Sequence, residues 1–261
     1  MMTRAQIEEA VELLVAARGD HRRLEAFPPS CRPESFEDGY AIQEAFVEAW
    51  SVPVAGYKIG CTSRETQKLL GAPGPFPGRV FAPVRLASPA KVAAKAFHKL
   101  GIEPEFAFTL AHDLPRRAAP YAREEVAAAV AALHGAIELV DMRWTDWFKV
   151  GVASIVADNG ANGGLVLGPA VTDWRKIDLP GAKAVLRFDG KAVAEGTGAA
   201  VLGNPLDALV WLANDLSKRG YGLKAGEAVT TGTVASVYFA EPGMTVTADF
   251  GPIGTVEVRF T

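Results

Sequence analysis

The sequence predicts an α+β chain in which a helical N-terminal segment, residues 1–52, precedes a β-rich body, residues 53–261, built on a rolled or sandwiched sheet. Three observations carry this reading. Apolar residues recur at helical spacing over roughly the first 50 positions and then largely cease to do so. From Val52 onward, short alternating or continuous apolar runs follow one another between glycine- and proline-rich turns, as strands do. These runs lack the regular intervening helices that a βαβ parallel sheet requires.

The elements follow in order. Ile7, Val11, Leu14 and Val15 mark a helix over 4–18, stopped by Gly19. Tyr40, Ile42, Phe46 and Trp50 mark a second from about Ser35 to Trp50, after the loop AFPPSCRP. VAGYKIG reads as a strand, and Thr62-Ser63-Arg64-Glu65 has the Thr-x-x-Glu form of a capping box opening a short helix that Gly71 ends. GAPGPFPG is dense in breakers and reads as a loop. The strand candidates after it are RVFAPV, IEPEFAFTL, GAIELV, SIVA, GLVLG, AKAVLRFDG and KAVAEGT, with one helix at 123–132. Asp189-Gly190 between two strand-like runs signals a hairpin. Asn204-Pro205 caps and opens a helix whose apolar set, Leu206, Leu209, Val210, Ala213 and Leu216, runs to Gly220. The tail TVTADFGPIGTVEVRF returns to strands.

Composition narrows the function classes. The chain has 261 residues, 49% hydrophobic, enough for a sizeable core. A net charge of −3, with no basic run interleaved with aromatics, argues against nucleic-acid binding. Cys31 and Cys61 are the only cysteines, without zinc-type spacing, which suits a reducing cytosol. No run approaches a membrane span, and the acidic, amphipathic N-terminus has no apolar core of a signal peptide, so a cytoplasmic protein is expected.

The chemistry centres on Glu103-Pro104-Glu105 in GIEPEFAFTL. On a strand, the period of two puts Glu103 and Glu105 on one face and Phe106 and Phe108 on the other. Two like charges so close either face open water or share a cation, and Mg2+ or Mn2+ is the natural candidate for hard oxygen ligands. Glu138, inside the apolar run AIELV, needs a partner if buried. That partner is either the same ion or a basic residue such as Arg143. Lys58, in AGYKIGCT, reads as a proton carrier whose pKa is lowered by burial, as an anion anchor, or as a lysine that snorkels to the surface. The turn Asp158 to Gly164 is rich in glycine and polar groups, and is either a plain turn or a ligand-facing one; it matches neither a Rossmann fingerprint nor a P-loop. Thr230-Thr231-Gly232-Thr233 closes a strand with hydroxyls beside a glycine, either an ordinary strand end or a carboxylate-binding turn. None of the histidines His21, His98, His112 and His134 has metal spacing, and no Gly-x-Ser-x-Gly occurs.

Taken together, GYKIGCT, GIEPEFAFTL with HDLP after it, AIELVDMRW, ADNGANGGLVLG, GTGAAVLGNPLDALVWLAN and LKAGEAVTTGT resemble, in order and spacing, the 2-keto-4-pentenoate (2-hydroxypenta-2,4-dienoate) hydratase and 4-oxalocrotonate decarboxylase family. That family lies within the fumarylacetoacetate hydrolase superfamily, and the likeness covers nearly the whole chain. It implies a mixed β-roll or sandwich core, a homo-oligomer, and one Mg2+ or Mn2+ per subunit on Glu103, Glu105 and Glu138. Lys58 then matches the active-site lysine, and Thr231, Gly232 and Thr233 match a turn near the substrate carboxylate. Arg79, Asp158 and Asn159 complete the expected substrate contacts. The implied reaction is hydration of a 2-hydroxy-2,4-dienoate, through its 2-oxo-3-enoate tautomer, to a 4-hydroxy-2-oxo acid in aromatic catabolism. The alternatives are decarboxylation of a 4-oxalocrotonate-like dicarboxylate, favoured if Arg79 reaches the distal carboxylate, and a non-catalytic partner subunit. Association with a related hydratase or decarboxylase, or with an aldolase, belongs to the same expectation. Carbon–carbon hydrolysis would want a histidine–carboxylate pair, which the sequence does not point to. The chain departs from the resemblance at Phe76-Pro77-Gly78, where many relatives carry a polar or acidic residue before the glycine, and at Gly160-Ala161-Asn162, where small hydroxyl residues are usual.

Overall fold

The computed structural model describes residues 1–261. Its helices are α1 (Arg4–Gly19), α2 (Phe36–Trp50), α3 (Arg64–Leu70), α4 (Arg123–Ala129), α5 (Trp147–Val150), α6 (Val152–Ala157) and α7 (Pro205–Lys218). Its strands are β1 (Val54–Gly60), β2 (Phe76–Phe81), β3 (Arg85–Ala87), β4 (Ala90–Val92), β5 (Leu100–Leu110), β6 (Val130–Asp141), β7 (Asn162–Leu167), β8 (Lys183–Phe188), β9 (Lys191–Thr197), β10 (Ala228–Thr233), β11 (Tyr238–Phe239), β12 (Thr245–Asp249) and β13 (Thr255–Phe260).

The strands form two mixed sheets. The larger runs β2-β1-β10-β5-β6-β7-β3, with β11 also pairing β5; the smaller runs β4-β13-β12-β8-β9. The expected α+β class with a sandwiched, non-βαβ sheet therefore holds. The main core fills the space between the sheets and under α7: Phe106 packs edge-on to Phe250, and Phe108 to Trp174. This gives the apolar face of β5 its counterpart. A second core gathers α1, α2 and α6 around Phe46, Phe76, Phe81 and Trp144.

The local signals explain most element ends. Thr3 and Gln6 make a reciprocal capping box on α1, Ser35 caps α2 beside acidic Glu37 and Asp38, and Asn204 caps α7 ahead of Pro205. Asp189 and Gly190 both take positive φ, as the tight turn joining β8 to β9 requires.

Four expectations change. SIVA lies in α6: the run is short, apolar and almost wholly buried, so periodicity could not separate strand from helix, and Gly151 at φ +77° starts the turn that winds it. The Gly/Pro loop is shorter than expected, because Phe76-Pro77-Gly78 belongs to β2, an edge strand where proline is tolerated. Ser63, not Thr62, caps α3, accepting from the Thr66 N–H at 3.1 Å. The helix at 123–132 ends at Ala129, because β6 starts at Val130 and pairs along β5 from Leu110 to Leu100.

Candidate active site

The site grows from the register of the long β5–β6 ladder. Glu103 lies directly opposite Glu138, and Glu105 opposite Ala136, so all three carboxylates share the face turned away from Phe106 and Phe108. Like charges directly opposite destabilise a sheet. Here two of them are also buried, Glu138 at 0% and Glu105 at 1% exposure, with Glu103 half-buried, and one oxygen from each of the three lies within 4.8 Å of the others.

Lys58 enters from β1. Its Nζ is 3.1 Å from Glu138 Oε1, which also accepts from Asn162 Nδ2 at 3.0 Å. Lysine therefore takes the role that Arg143 was a candidate for. Burial alone would lower the Lys58 pKa, but Glu138, Glu103 and Glu105 outweigh it and leave the ammonium held above its ordinary value. The expected burial-lowered lysine is thus replaced by a strongly protonated one. Burial, then Glu138, pushes Glu103 up to about 7 against the pull of Lys58. Burial and both neighbouring carboxylates push Glu105 well above the usual range, although it accepts from the Gly232 N–H at 2.8 Å.

That N–H is aimed by a bulge. Between Thr230, opposite Ala107, and Thr233, opposite Glu105, β10 carries one residue more than β5. Gly232 sits there at φ +107°, and a Cβ on it would lie 1.8 Å from Thr62 Oγ1. Only glycine fits.

These groups fit a hard divalent cation. Two buried carboxylates and a half-buried one meet one lysine, and Glu138 Oε2 is buried without any hydrogen-bond partner. Such an orphaned anionic oxygen is costly unless something positive is bound. Lys58, Glu103, Glu105, Gly160 and Thr233 line one end of a cleft of about 920 Å3.

The family model described as fumarylacetoacetate (FAA) hydrolase, C-terminal, matches residues 71–261. The chain belongs to the fumarylacetoacetate hydrolase family. It is 31% identical to 2-keto-4-pentenoate hydratase of Paraburkholderia xenovorans (strain LB400), over 99% of this chain and 96% of that one. It is 32% identical to 2-hydroxyhexa-2,4-dienoate hydratase of Comamonas testosteroni, over 98% and 97%. Among solved structures, 4-oxalocrotonate decarboxylase of Pseudomonas putida G7, complexed with magnesium and adipate, superposes with a TM-score of 0.91 at 26% identity, covering 100% of this chain and 99% of that one.

Within this fumarylacetoacetate hydrolase fold, the remaining expected site residues divide. Thr233 lines the cleft, its hydroxyl donating to the Ala235 carbonyl at 2.8 Å, and Gly232 holds Glu105. Thr231 is fully buried and donates to the Phe106 carbonyl, so it fastens β10 to β5 and does not face the cleft. Arg79 is a correction. It sits opposite Tyr57 on β2 and β1, one residue out of phase with Lys58, so its guanidinium leaves on the far side. There it pairs with Glu44 at 2.6 Å and stacks on Tyr57 and Tyr221.

Asp158 and Asn159 are corrections too. Asp158 receives the Arg143 guanidinium at 2.7 Å, and Asn159 clamps the Arg79 backbone, accepting from its N–H at 2.6 Å and donating to its carbonyl at 2.8 Å. Their turn serves Lys58 indirectly: the lysine stem passes so close to Gly78 and Gly160 that a Cβ on either would lie 3.3 Å from its Cδ. A histidine–carboxylate pair also exists, His98 with Asp141 at 2.9 Å, but it lines a separate cavity of about 280 Å3 and its other nitrogen meets the Ala17 carbonyl. Asn162 stood out in the sequence only as a departure from the family pattern, not as a partner of Glu138; a polar residue opening a strand beside the one carrying Glu138 was the available signal.

Proposed function

We propose that this protein is a lyase that hydrates a 2-hydroxy-2,4-dienoate to a 4-hydroxy-2-oxo acid, using Mg2+ or Mn2+ held by Glu103, Glu105 and Glu138. The convergence of three carboxylates, two of them buried, and one protonated lysine at a single cleft carries this reading. The full-length likeness to two hydratases of such dienoates supports it. A bound divalent ion would supply Lewis acidity to the carboxylate and 2-oxo oxygens of the substrate.

The protein's own groups do the rest. Ketonisation of the dienol removes the 2-hydroxyl proton and places one at C5; water addition then places the hydroxyl at C4, releases the other water proton, and places one at C3. Lys58 Nζ is the buried cationic donor beside the carboxylates, and its ion pair with Glu138 keeps a proton on it before each transfer. Gly232 fixes Glu105, and Asn162 fixes Glu138, so the acidic face is preorganised. Decarboxylation of a 2-oxo dicarboxylate is the second reading, favoured by the backbone match to the Pseudomonas decarboxylase. The outward course of Arg79 removes the cation that was to bind the distal carboxylate.

The deciding experiment is turnover of the Mg2+- or Mn2+-loaded protein with 2-hydroxypenta-2,4-dienoate and, separately, 2-oxohex-3-enedioate, following dienol absorbance and CO2. Hydrated product without CO2, abolished by Glu105→Ala, is expected. CO2 release transfers the assignment to the decarboxylase, and inertness toward both overturns the lyase reading.

A further inference from the structure

We propose that the smaller cavity, of about 280 Å3, is a second binding site, for a small monocarboxylic acid with an apolar body. It lies between the C-terminal ends of α1 and α2, which bring Arg18 and Trp50, and the stretch of chain from Pro83 to His98. It shares no lining residue with the carboxylate cleft, and nothing in the reaction above uses it.

Arg18 is the under-partnered group in its wall. The side chain is only 11% exposed, its Nε is buried without any hydrogen-bond partner, and its one acidic contact, to Asp158 Oδ1, is long at 3.4 Å. Asp158 is already held by Arg143, whose Nε reaches both of its oxygens, at 2.7 and 2.9 Å. Burial, then the neighbouring Arg143, pulls the Arg18 pKa down to about 9. A buried cationic donor without an acceptor is costly, and an anion beside it removes that cost. The surrounding charges are unbalanced in the same sense. His98 Nδ1 lies 2.9 Å from Asp141 Oδ2, and its Nε2 lies 3.1 Å from the Ala17 carbonyl. Both partners are acceptors, so both contacts are hydrogen bonds only when both ring nitrogens carry protons. Arg18, Arg143 and His98 then set three cations against Asp141 and Asp158 in one connected network. One negative charge completes it, and two would overshoot.

The other walls select the body of the ligand. Trp50, Leu86, Val92, Phe97 and Leu139 make most of the remaining lining apolar. A hydrated inorganic anion gains nothing from such walls, whereas an alkyl or aryl body is taken out of water by them. At ~30 Å3 per water the volume corresponds to roughly nine waters, which suits an acid of about six carbons. Pro83 and Ala96, both exposed, mark the mouth.

The test is calorimetric binding of hexanoate, acetate, hexanamide and chloride to the Mg2+-loaded protein. Hexanoate is expected to bind once per chain and, with up to four more methylenes buried at roughly fourfold each, about 10- to 200-fold more tightly than acetate. Hexanamide, which keeps the shape and loses the charge, binds at least about tenfold more weakly than hexanoate. Arg18→Met lowers hexanoate affinity at least about tenfold, and so does Ala96→Trp, which plugs the mouth and leaves every charge in place. Glu105→Gln, which strips the metal from the acidic site, leaves hexanoate affinity within about twofold and so separates this cavity from the cleft. The proposal is overturned if hexanoate does not bind, so that water alone fills the cavity, or if acetate, hexanamide or chloride binds as tightly. Unchanged affinity in Arg18→Met or Ala96→Trp overturns it as well, and so does loss of binding in Glu105→Gln, which would place the acid in the cleft. None of these results bears on dienoate turnover.

Discussion

Gly232→Ala probes how the protein holds its acidic cluster. The new methyl would lie 1.8 Å from Thr62 Oγ1 and 2.9 Å from Thr62 Cβ and Cγ2, at a φ of +107°. The positive φ alone costs about 1–2 kcal/mol for an L side chain. The collision cannot be relieved without moving the bulge, and the bulge carries the N–H that meets Glu105 Oε2 at 2.8 Å. Losing a hydrogen bond to a charged group costs about 1.5–3 kcal/mol. Since each ~1.4 kcal/mol is tenfold, Mg2+ or Mn2+ affinity should fall by about 10- to 150-fold. Isothermal calorimetry on the metal-stripped protein measures this, with circular dichroism to establish that the fold persists. Adding Thr62→Ala removes the two closest-packed branches of that side chain and should restore part of the affinity. A folded Gly232→Ala protein that binds the metal within about twofold of the parent would refute the claim that the bulge positions Glu105.

Three further outcomes follow from the same geometry. Glu105→Gln keeps an acceptor for Gly232 but removes a buried charge, so metal binding should vanish while the metal-free protein melts higher at pH 8, by about 2–4 °C per ~1 kcal/mol; a lower melting temperature would count against it. Glu103 has a folded pKa of about 7, raised from 4.5, so its contribution to the stability of the metal-free protein is complete below about pH 4.5 and lost as pH rises through about 7. Metal binding must displace the protons on both Glu103 and Glu105, so affinity should rise at least about tenfold per pH unit up to about 7, and pH-independent affinity between about 5 and about 7 would contradict this. Arg143→Met leaves Asp141 and Asp158 as buried carboxylates without their main partner, and should cost about 3–5 kcal/mol in urea unfolding; a loss under about 1 kcal/mol would show the network to be dispensable.

The Glu103–Glu105 pair was legible in the sequence because it depends on strand phase alone. Once GIEPEFAFTL is a strand, Glu103 and Glu105 must share a face, and Phe106 and Phe108 must fill the other. The cap of α7 and the Asp189-Gly190 turn were legible for a related reason: each is set by residues within a few positions of one another. Arg79, Asp158 and Asn159 were misplaced because their partners lie far away in sequence. Only the register of β2 on β1 sends the Arg79 side chain away from Lys58, and only the fold brings Arg143 to Asp158. The helix at Val152–Ala157 failed for lack of length, since so short a run, almost wholly buried, satisfies either period.

The position of β10 in the larger sheet has a consequence for biosynthesis. The β1–β2 and β5–β6 pairs each form between neighbouring stretches of chain, yet they meet only through β10, which pairs Ala228 with Gly56 on one side and with Thr109 on the other. As the chain leaves the ribosome, the hairpin bearing Glu103 and Glu138 is complete long before the strand that brings Lys58 alongside them. A nascent chain ending before Ala228 would carry all three acidic ligands and their lysine but hold them on two unjoined hairpins. Joining the two hairpins therefore waits for β10, and metal available before that strand is made would meet an incomplete cluster.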